Sequence, residues 1–237
     1  MFQNNLLMGA ASASGVSLVE VENSALFNKA NSEFLSWTPS GAGDSRTTFT
    51  QSCWVQRGNI GVNPGASLQA GDYNNGGSAF GCYFTTDDKF NFYAANAGGW
   101  TGRLTTTQLF RGTAAYHIVI VGDTTNSTAS DRLRIYVNGV RVTAFSSAVY
   151  PAQNATTGYG QASVQTVGAI YSLGSAAYYQ DGYISEAVYL DGTASTDATE
   201  FGEFDTTGLY WTPKSSTAIK ALTFGTNGFY LDNTTNA

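Results

Sequence analysis

The stretch "DRLRIYVNGVRVT", residues 131–143, decides the fold of this chain. Apolar side chains recur at every second position on both sides of Asn138-Gly139. A period of two is typical of β-strands. An Asn-Gly pair favours the type I′ turn, because both central residues of that turn need a positive φ. The stretch therefore predicts a β-hairpin.

The run that precedes the hairpin, "AAYHIVIVGD" (Ala114–Asp123), is apolar without a break through Ile118–Val121. A strand that is apolar on both faces is buried on both faces. The run therefore predicts a central strand that is covered from two sides.

Period-two patterns occur along most of the chain, with turn signals between them. Strands about ten residues apart are typical of sandwiches and jelly rolls. The sequence therefore predicts an all-β fold, a two-sheet antiparallel jelly-roll sandwich. The other runs that carry the pattern are Arg46–Gly58, Ala79–Ala95, Tyr183–Gly192 and Gly228–Leu231.

The sequence predicts one short helix, in Ser195–Asp205. Asp197 would cap it, and Glu200, three residues later, would close a capping box. We find no internal repeat and no linker, so residues 17–237 are interpreted as one domain. Residues 1–16 are interpreted as an N-terminal arm.

The composition argues against several classes of function. Only 12% of the residues are charged and the formal net charge is −6, with no run of lysine or arginine. A phosphate backbone or an anionic membrane surface would need such a run. No apolar stretch is long enough to span a bilayer, and no phosphate-binding loop motif occurs. We therefore expect no nucleic acid, no membrane and no cofactor.

No catalytic constellation is predicted. Retaining glycosidases need two carboxylates about 5–5.5 Å apart, and the candidate pairs are Glu20 with Glu22 and Glu203 with Asp205. The first pair fits a solvated strand face, and the second falls at the predicted helix end. His117 lies in the most apolar strand, which favours a packed structural histidine over a general base. We expect a protein that is not an enzyme.

The two cysteines and one acidic strand residue are interpreted as structural. Cys53 and Cys82 fall in predicted strands and are interpreted as buried free thiols, although one bridge between them stays open. Glu186 is predicted to point inward with Ile184, Val188 and Leu190, as an acceptor that holds a neighbouring strand.

We predict no metal site. Six to eight oxygen ligands are needed to hold Ca²⁺, and no loop offers that density. The acidic loop residues are more simply explained as turn residues that bond their own backbone. These residues are Asp72 with Asn74 and Asn75, Asp87 with Asp88, and Asp123 with Asn126 and Asp131.

Three aromatic residues are candidates for binding. Trp100 lies between glycines, and Tyr178 and Tyr179 fall in a predicted loop. Exposed rings can stack on sugars, but tyrosine and tryptophan are also enriched at subunit interfaces. The three residues are therefore candidates for either glycan or subunit contact. The other tryptophans, Trp37, Trp54 and Trp211, are assigned to packing.

The run "AYHIVIVGDTTNSTASDRLRIYVNGVRVT" resembles the laminin-G-like branch of the concanavalin A-like lectin/glucanase superfamily. The strand "DGYISEAVYLDG" (Asp181–Gly192) is similar to a late strand of that family. "FGEFDTTGLYWTPK" (Phe201–Lys214), "FGTNGFYLDN" (Phe224–Asn233) and the opening "MFQNNLLMGAASA" resemble bacteriophage virion proteins. The resemblance implies a concanavalin A-like sandwich displayed on a phage particle, as a capsid decoration, fibre or tail component.

The resemblance also gives the N-terminal arm a role. Phe2, Leu6, Leu7 and Met8 form a small apolar cluster before a stretch of alanine, serine and glycine. In a virion protein such an arm docks on a neighbouring subunit. The alternative is a disordered terminus. We expect a non-enzymatic virion surface protein that contacts other virion proteins, forms a homo-oligomer and binds host glycans. The alternative is a free carbohydrate-binding lectin, and a glycan-cleaving enzyme ranks last.

Overall fold

The computed structural model describes residues 23–61, 67–71, 79–96, 99–112, 114–172 and 174–232. These residues form 18 strands, one α-helix, Ser216–Lys220 (α1), and two 3₁₀ helices, Lys29–Asn31 and Ala129–Asp131. The strands β1 to β9 are Ala25–Phe27, Leu35–Trp37, Thr48–Arg57, Ser67–Gly71, Ala79–Phe84, Lys89–Asn96, Gly99–Leu109, Tyr116–Asp123 and Leu133–Val137. The strands β10 to β18 are Val140–Arg141, Phe145–Val149, Gln165–Val167, Ile170–Ser172, Ser175–Ala177, Gly182–Asp191, Gly202–Phe204, Trp211–Pro213 and Phe229–Leu231.

The strands form two large sheets. The first has the order β1-β15-β3-β8-β9-β10, with β18 also paired to β15, and the second has the order β11-β7-β6-β5-β4-β12-β2. Every pairing between described strands is antiparallel. The predicted all-β, two-sheet antiparallel sandwich with one short helix is confirmed.

The core fills the space between the two sheets. Buried residues from β3, β8, β9 and β15 of the first sheet pack there against phenylalanines of β5 and β6 in the second. A second apolar cluster covers the opposite face of the first sheet, where Ala198, Phe201, Trp211 and Ile219 pack on it. The central strand β8 contributes to both clusters, with Ile118 and Ile120 on one face and Val119 and Val121 on the other. The strand is buried from two sides, as the sequence predicts.

The predicted hairpin is present. Asn138 and Gly139 have φ values of 47° and 79°, which the type I′ turn requires. The Asn138 side chain also accepts a hydrogen bond from the His117 backbone N–H at 2.8 Å, which ties the turn to β8. Gly139 lies against the Trp211 ring, where a Cβ would come within 2.5 Å of ring carbons. The turn therefore needs glycine both for its φ and for its close packing.

The helix prediction is wrong in position. Asp197 accepts hydrogen bonds from the Thr199 backbone N–H and hydroxyl, which closes a local turn instead of starting a helix. Glu200 accepts from the Ser195 hydroxyl at 2.9 Å, and β16 begins at Gly202. The α-helix found in the described residues is α1, which is capped by the Ser215 side chain.

The inward direction predicted for Glu186 is also wrong. The pairing of β15 with β3 shifts between Ser185 and Val188, and Glu186 has a φ of 50°. This bulge resets the alternation, so Ile184 faces the inter-sheet core while Val188 and Leu190 face the second cluster. Glu186 is partly exposed and accepts a hydrogen bond from the Tyr230 hydroxyl on β18. Its predicted role as an acceptor that holds a neighbouring strand fits this contact.

Candidate functional site on the second sheet

The outer face of the second sheet carries a group of polar and aromatic side chains. In β6, Phe90 and Phe92 belong to the core. Because side chains alternate along a strand, the residues between and after them, Asn91 and Tyr93, point away from the core. The same alternation in β7 places Leu104 inside and Arg103 and Thr105 outside. Together with Tyr83 of β5, we call these five outward residues (Tyr83, Asn91, Tyr93, Arg103 and Thr105) the polar face.

The strand register places the polar face in two rows that run across the sheet. In one row, Thr105 is directly opposite Asn91, and Asn91 is directly opposite Tyr83. In the other, Arg103 is directly opposite Tyr93. Directly opposed side chains in antiparallel strands lie about 4.5–5.5 Å apart at Cβ. The five residues therefore form one contiguous group on three neighbouring strands. Arg103 is its exposed member and Tyr83 is partly buried, while Asn91, Tyr93 and Thr105 are buried.

Asn91 is the centre of this surface. Its Oδ1 atom accepts a hydrogen bond from the Thr105 hydroxyl at 2.7 Å and one from Arg103 Nε at 3.3 Å. The residue is 1% exposed, yet its Nδ2 atom has no hydrogen-bond partner. A buried donor without a partner costs about 1–3 kcal/mol. The two hydrogen bonds to Asn91 Oδ1 therefore orient Arg103, while the Nδ2 group of Asn91 stays without a partner.

The aromatic part of the polar face is formed by two tyrosines. The rings of Tyr83 and Tyr93 meet edge to face, with centroids 6.1 Å apart. Tyr93 lies across Gly81, where a Cβ would come within 2.7 Å of its hydroxyl oxygen. Glycine at position 81 thus allows the Tyr93 ring to lie flat along the sheet.

The chemistry of the polar face suits binding. Arg103 is exposed, and it can donate hydrogen bonds to a ligand beside the tyrosine rings. None of the five residues is a carboxylate, so the polar face itself holds no acid–base pair of the kind that glycoside hydrolysis uses. The arrangement can hold hydroxyl and acidic groups through hydrogen bonds.

The structure only partly describes the predicted binding aromatics. Trp100 lies in β7, opposite Ala95, and its side chain is outside the described part. Tyr178 follows β14 with a φ of 58° and is 48% exposed. Tyr179 is partly buried, and its hydroxyl donates to the Ala176 carbonyl at 2.8 Å. Tyr178 is thus free for contact and Tyr179 is anchored, while their predicted role with Trp100 stays a prediction.

Several other candidate residues lie outside the described residues. They include the arm residues Phe2, Leu6, Leu7 and Met8, the acidic pair Glu20 and Glu22, and the loop residues Asp72, Asn74 and Asn75.

The second acidic pair is placed differently from its prediction. Glu203 lies on β16, not at a helix end, and forms an ion pair with Lys214 at 2.5 Å. Asp205 follows that strand and accepts hydrogen bonds from the backbone N–H groups of Leu209 and Tyr210. The hydrogen bond from the Tyr210 N–H is the main cause that lowers the pKa of Asp205. Both carboxylates are therefore engaged in shaping the β16–β17 hairpin.

His117 is a structural residue, as predicted. It is fully buried, and its ring stacks on Trp54 with centroids 4.8 Å apart. Nδ1 accepts a hydrogen bond from Trp211 Nε1 at 2.9 Å, so the ring proton lies on Nε2, which donates to the Ser52 hydroxyl at 2.8 Å. Burial lowers the pKa of His117 to about 3.

The cysteine prediction is confirmed, since Cys53 and Cys82 are both buried and free. Burial raises the pKa of the Cys53 thiol, and the neighbouring Cys82 adds to this effect.

The loop carboxylates considered for calcium are occupied by protein groups. Asp87 pairs with Lys89, Asp131 pairs with Arg141, and Asp123 accepts from the Thr125 backbone N–H and hydroxyl. Within the described ranges, no group of three metal-ligating side chains is found. In the same part of the chain, no helix is long and apolar enough to cross a membrane.

Comparison with known proteins defines the relatives of this chain. Residues 30–196 match a family model described as the concanavalin A-like lectin/glucanases superfamily. A search of curated protein sequences finds no significant match. Among solved structures, the LG4-5 domains of the mouse laminin α1 chain align with a TM-score of 0.51 and 13% identity, over 80% of this chain and 49% of that one. This likeness supports the fold.

Two further structures are similar at lower scores. A heptameric pentraxin from Limulus polyphemus aligns with a TM-score of 0.48 and 15% identity, over 69% of this chain and 71% of that one. The CBM40 module of the Ruminococcus gnavus IT-sialidase aligns with a TM-score of 0.46 and 13% identity, over 70% of this chain and 94% of that one.

Proposed function

The chain belongs to a laminin-G-type family of the concanavalin A-like lectin/glucanases superfamily, and on that premise we propose that it is a carbohydrate-binding module without catalytic activity. The observation that carries the proposal is the polar face. Sugar recognition needs oriented hydrogen-bond donors next to apolar or aromatic surface. Arg103 supplies the exposed polar group and the partly buried Tyr83 supplies a ring. The buried residues Asn91, Thr105 and Tyr93 hold these two side chains from below.

Substitution of Arg103 tests this proposal directly. We expect Arg103→Ala to weaken glycan binding by about tenfold or more, because a hydrogen bond from a charged donor is worth about 1.5–3 kcal/mol. A glycan array identifies a ligand of the full chain, and titration calorimetry then compares the variant with the parent. Gln108→Ala, an exposed position on the same strand outside the polar face, is the matched control.

Equal loss in both variants, or no loss in Arg103→Ala, would place the glycan elsewhere. Trp100→Ala and Tyr178→Ala then test the aromatic residues predicted from the sequence.

We further propose that the module is displayed on the surface of a bacteriophage particle. The support is the resemblance of Phe201–Lys214, Phe224–Asn233 and the opening segment to phage virion proteins. Its partners would be other virion proteins, reached through the N-terminal arm, and further copies of the same chain. The tip of the β16–β17 hairpin offers a second contact surface, since Phe204, Leu209 and Tyr210 are all more than half exposed there. Clustered exposed apolar residues often mark protein interaction sites.

Immunogold electron microscopy tests the particle location. An antibody raised against the recombinant domain is applied to purified particles from the source lysate. We expect label on the particles, over the head for a decoration protein or at the tail for a fibre or tail component. Particles without label would overturn the virion placement and leave the free lectin.

A further inference from the structure

We propose that the glycan bound by the polar face carries a carboxylate, as uronic and nonulosonic acid sugars do. This inference rests on the proposed carbohydrate-binding function and names the class of sugar. It follows from three features of the polar face: the orientation of Arg103, the charges around it, and the unused donor of Asn91.

The first feature is the way in which Arg103 is held. Its Nε atom is directed to Asn91 Oδ1, which the Thr105 hydroxyl also binds. This contact fixes the plane of the guanidinium and leaves the Nη1 and Nη2 atoms without a hydrogen bond in the described structure. Two parallel N–H groups in one plane match the two oxygens of a carboxylate, and this bidentate pair is stronger than a bond to a neutral hydroxyl.

The second feature is the charge around Arg103. Six other basic side chains form ion pairs with carboxylates: Arg57, Lys89, Arg111, Arg141, Lys214 and Lys220. Arg103 forms no ion pair with a described residue, and the polar face carries no carboxylate. Arg132 and Arg134 also lack an ion pair with a described residue, but their Nη atoms donate to backbone carbonyls, which those of Arg103 do not. In a chain with a net charge of −6, this exposed and uncompensated cation favours an anionic ligand through charge complementarity.

The third feature is the unused donor. Asn91 Nδ2 is buried and has no partner, although native structures pair nearly all such groups. The unpaired groups of the exposed Arg103 and of the buried Asn91 beside it are thus donors only. A carboxylate is an acceptor only, whereas a sugar hydroxyl both donates and accepts. The donor set therefore fits the acidic sugar better than the neutral one.

A comparison of matched glycans tests the inference. The full chain is titrated with oligogalacturonate, a glucuronate-containing oligosaccharide and sialyllactose, each next to its own carboxyl-reduced form. We expect at least one acidic member to bind about tenfold or more tightly than its reduced form. Arg103→Gln is expected to bring the two forms of that pair within about twofold of each other, and Arg103→Lys to restore part of the difference. Gln108→Ala is expected to leave the difference unchanged.

Different outcomes would contradict the acidic sugar alone or the carbohydrate-binding function as well. Equal or tighter binding of the reduced forms, with Arg103→Ala still weakening them, would overturn the acidic sugar and leave the carbohydrate-binding function intact. A preference for acidic sugars that survives in Arg103→Gln would also overturn the inference, because another residue would then read the charge. No binding to any member, together with an empty glycan array, would overturn both.

Discussion

Replacing Asp88 with asparagine is expected to lower the free energy of unfolding by about 3–5 kcal/mol, because it leaves a buried positive charge without its partner. Arg57 extends from β3 of the first sheet, and its side chain is fully buried. Its Nη1 atom lies 3.1 Å from Asp88 Oδ1, and its guanidinium lies 4.6 Å from the centre of the Phe84 ring. Asp88 belongs to the turn between β5 and β6 of the second sheet. The pair therefore fastens the two sheets together.

The state of the Asp88 carboxyl supports this expectation. Burial by itself raises the pKa of Asp88, but hydrogen bonds from the Gly61 backbone N–H and from Arg111 and Arg57 outweigh it, so the pKa is lower than usual. The group is thus ionised at neutral pH. Asparagine keeps the size of the side chain and tolerates the φ of 62° found at this position. The substitution therefore removes the charge with little change to the backbone.

Urea denaturation at pH 7 measures the effect, and the adjacent residue provides the control. Asp87 also forms an ion pair, with Lys89, but its side chain is 58% exposed. We expect Asp87→Asn to cost less than about 1 kcal/mol, as exposed pairs do. Similar small costs for both variants would mean that the Arg57 charge is not buried as the structure describes it.

Local sequence patterns were enough to predict much of the fold. The hairpin around Asn138-Gly139 follows from turn chemistry and alternation, which involve only neighbouring residues. The burial of Ile118–Val121 from two sides follows from an unbroken apolar run. The position of the helix could not be derived in this way. The Asp197 side chain accepts a hydrogen bond from the Thr199 backbone N–H and closes a turn. An aspartate that caps a helix makes the same kind of contact, so local sequence does not distinguish the turn from the helix start.

The candidate site was missed because it depends on strand pairing. Each member of the polar face reads in the sequence as an ordinary outward residue of a strand. Only the register of β5, β6 and β7 brings Tyr83, Asn91 and Thr105 into one row and lets Arg103 reach Asn91. A signal was present in "FNFY", where Asn91 stands between two core phenylalanines. The bulge at Glu186 shows the same limit, since one extra residue moves the following side chains to the other face.

Acidification from pH 7.5 to pH 5 is expected to lower the free energy of unfolding by about 2 kcal/mol through His117 alone. Burial lowers the pKa of His117 from 6.5 to about 3 in the folded chain. Between these two values the unfolded chain binds a proton that the folded chain does not. The contribution of His117 to the free energy of unfolding is therefore fully present above pH 6.5, and it is lost as the pH falls toward 3. Chemical denaturation at pH 7.5, 6.5, 5.5 and 5 measures how the free energy of unfolding changes with pH.

The chain has one histidine, so His117→Gln removes this titration completely. The variant is expected to be less stable at pH 7.5, since the hydrogen bond from Trp211 Nε1 loses its acceptor, and to show a much flatter pH dependence down to about pH 5.5, where carboxylates begin to titrate. If the His117→Gln variant does not fold, the protonation state of His117 can still be followed in the native protein. The Hε1 proton of its one histidine should keep the same chemical shift in NMR spectra from pH 7.5 to pH 5. A shift with a midpoint near 6.5 would contradict the buried, neutral ring and the Trp211–His117–Ser52 hydrogen bonds that hold the β16–β17 hairpin on the first sheet.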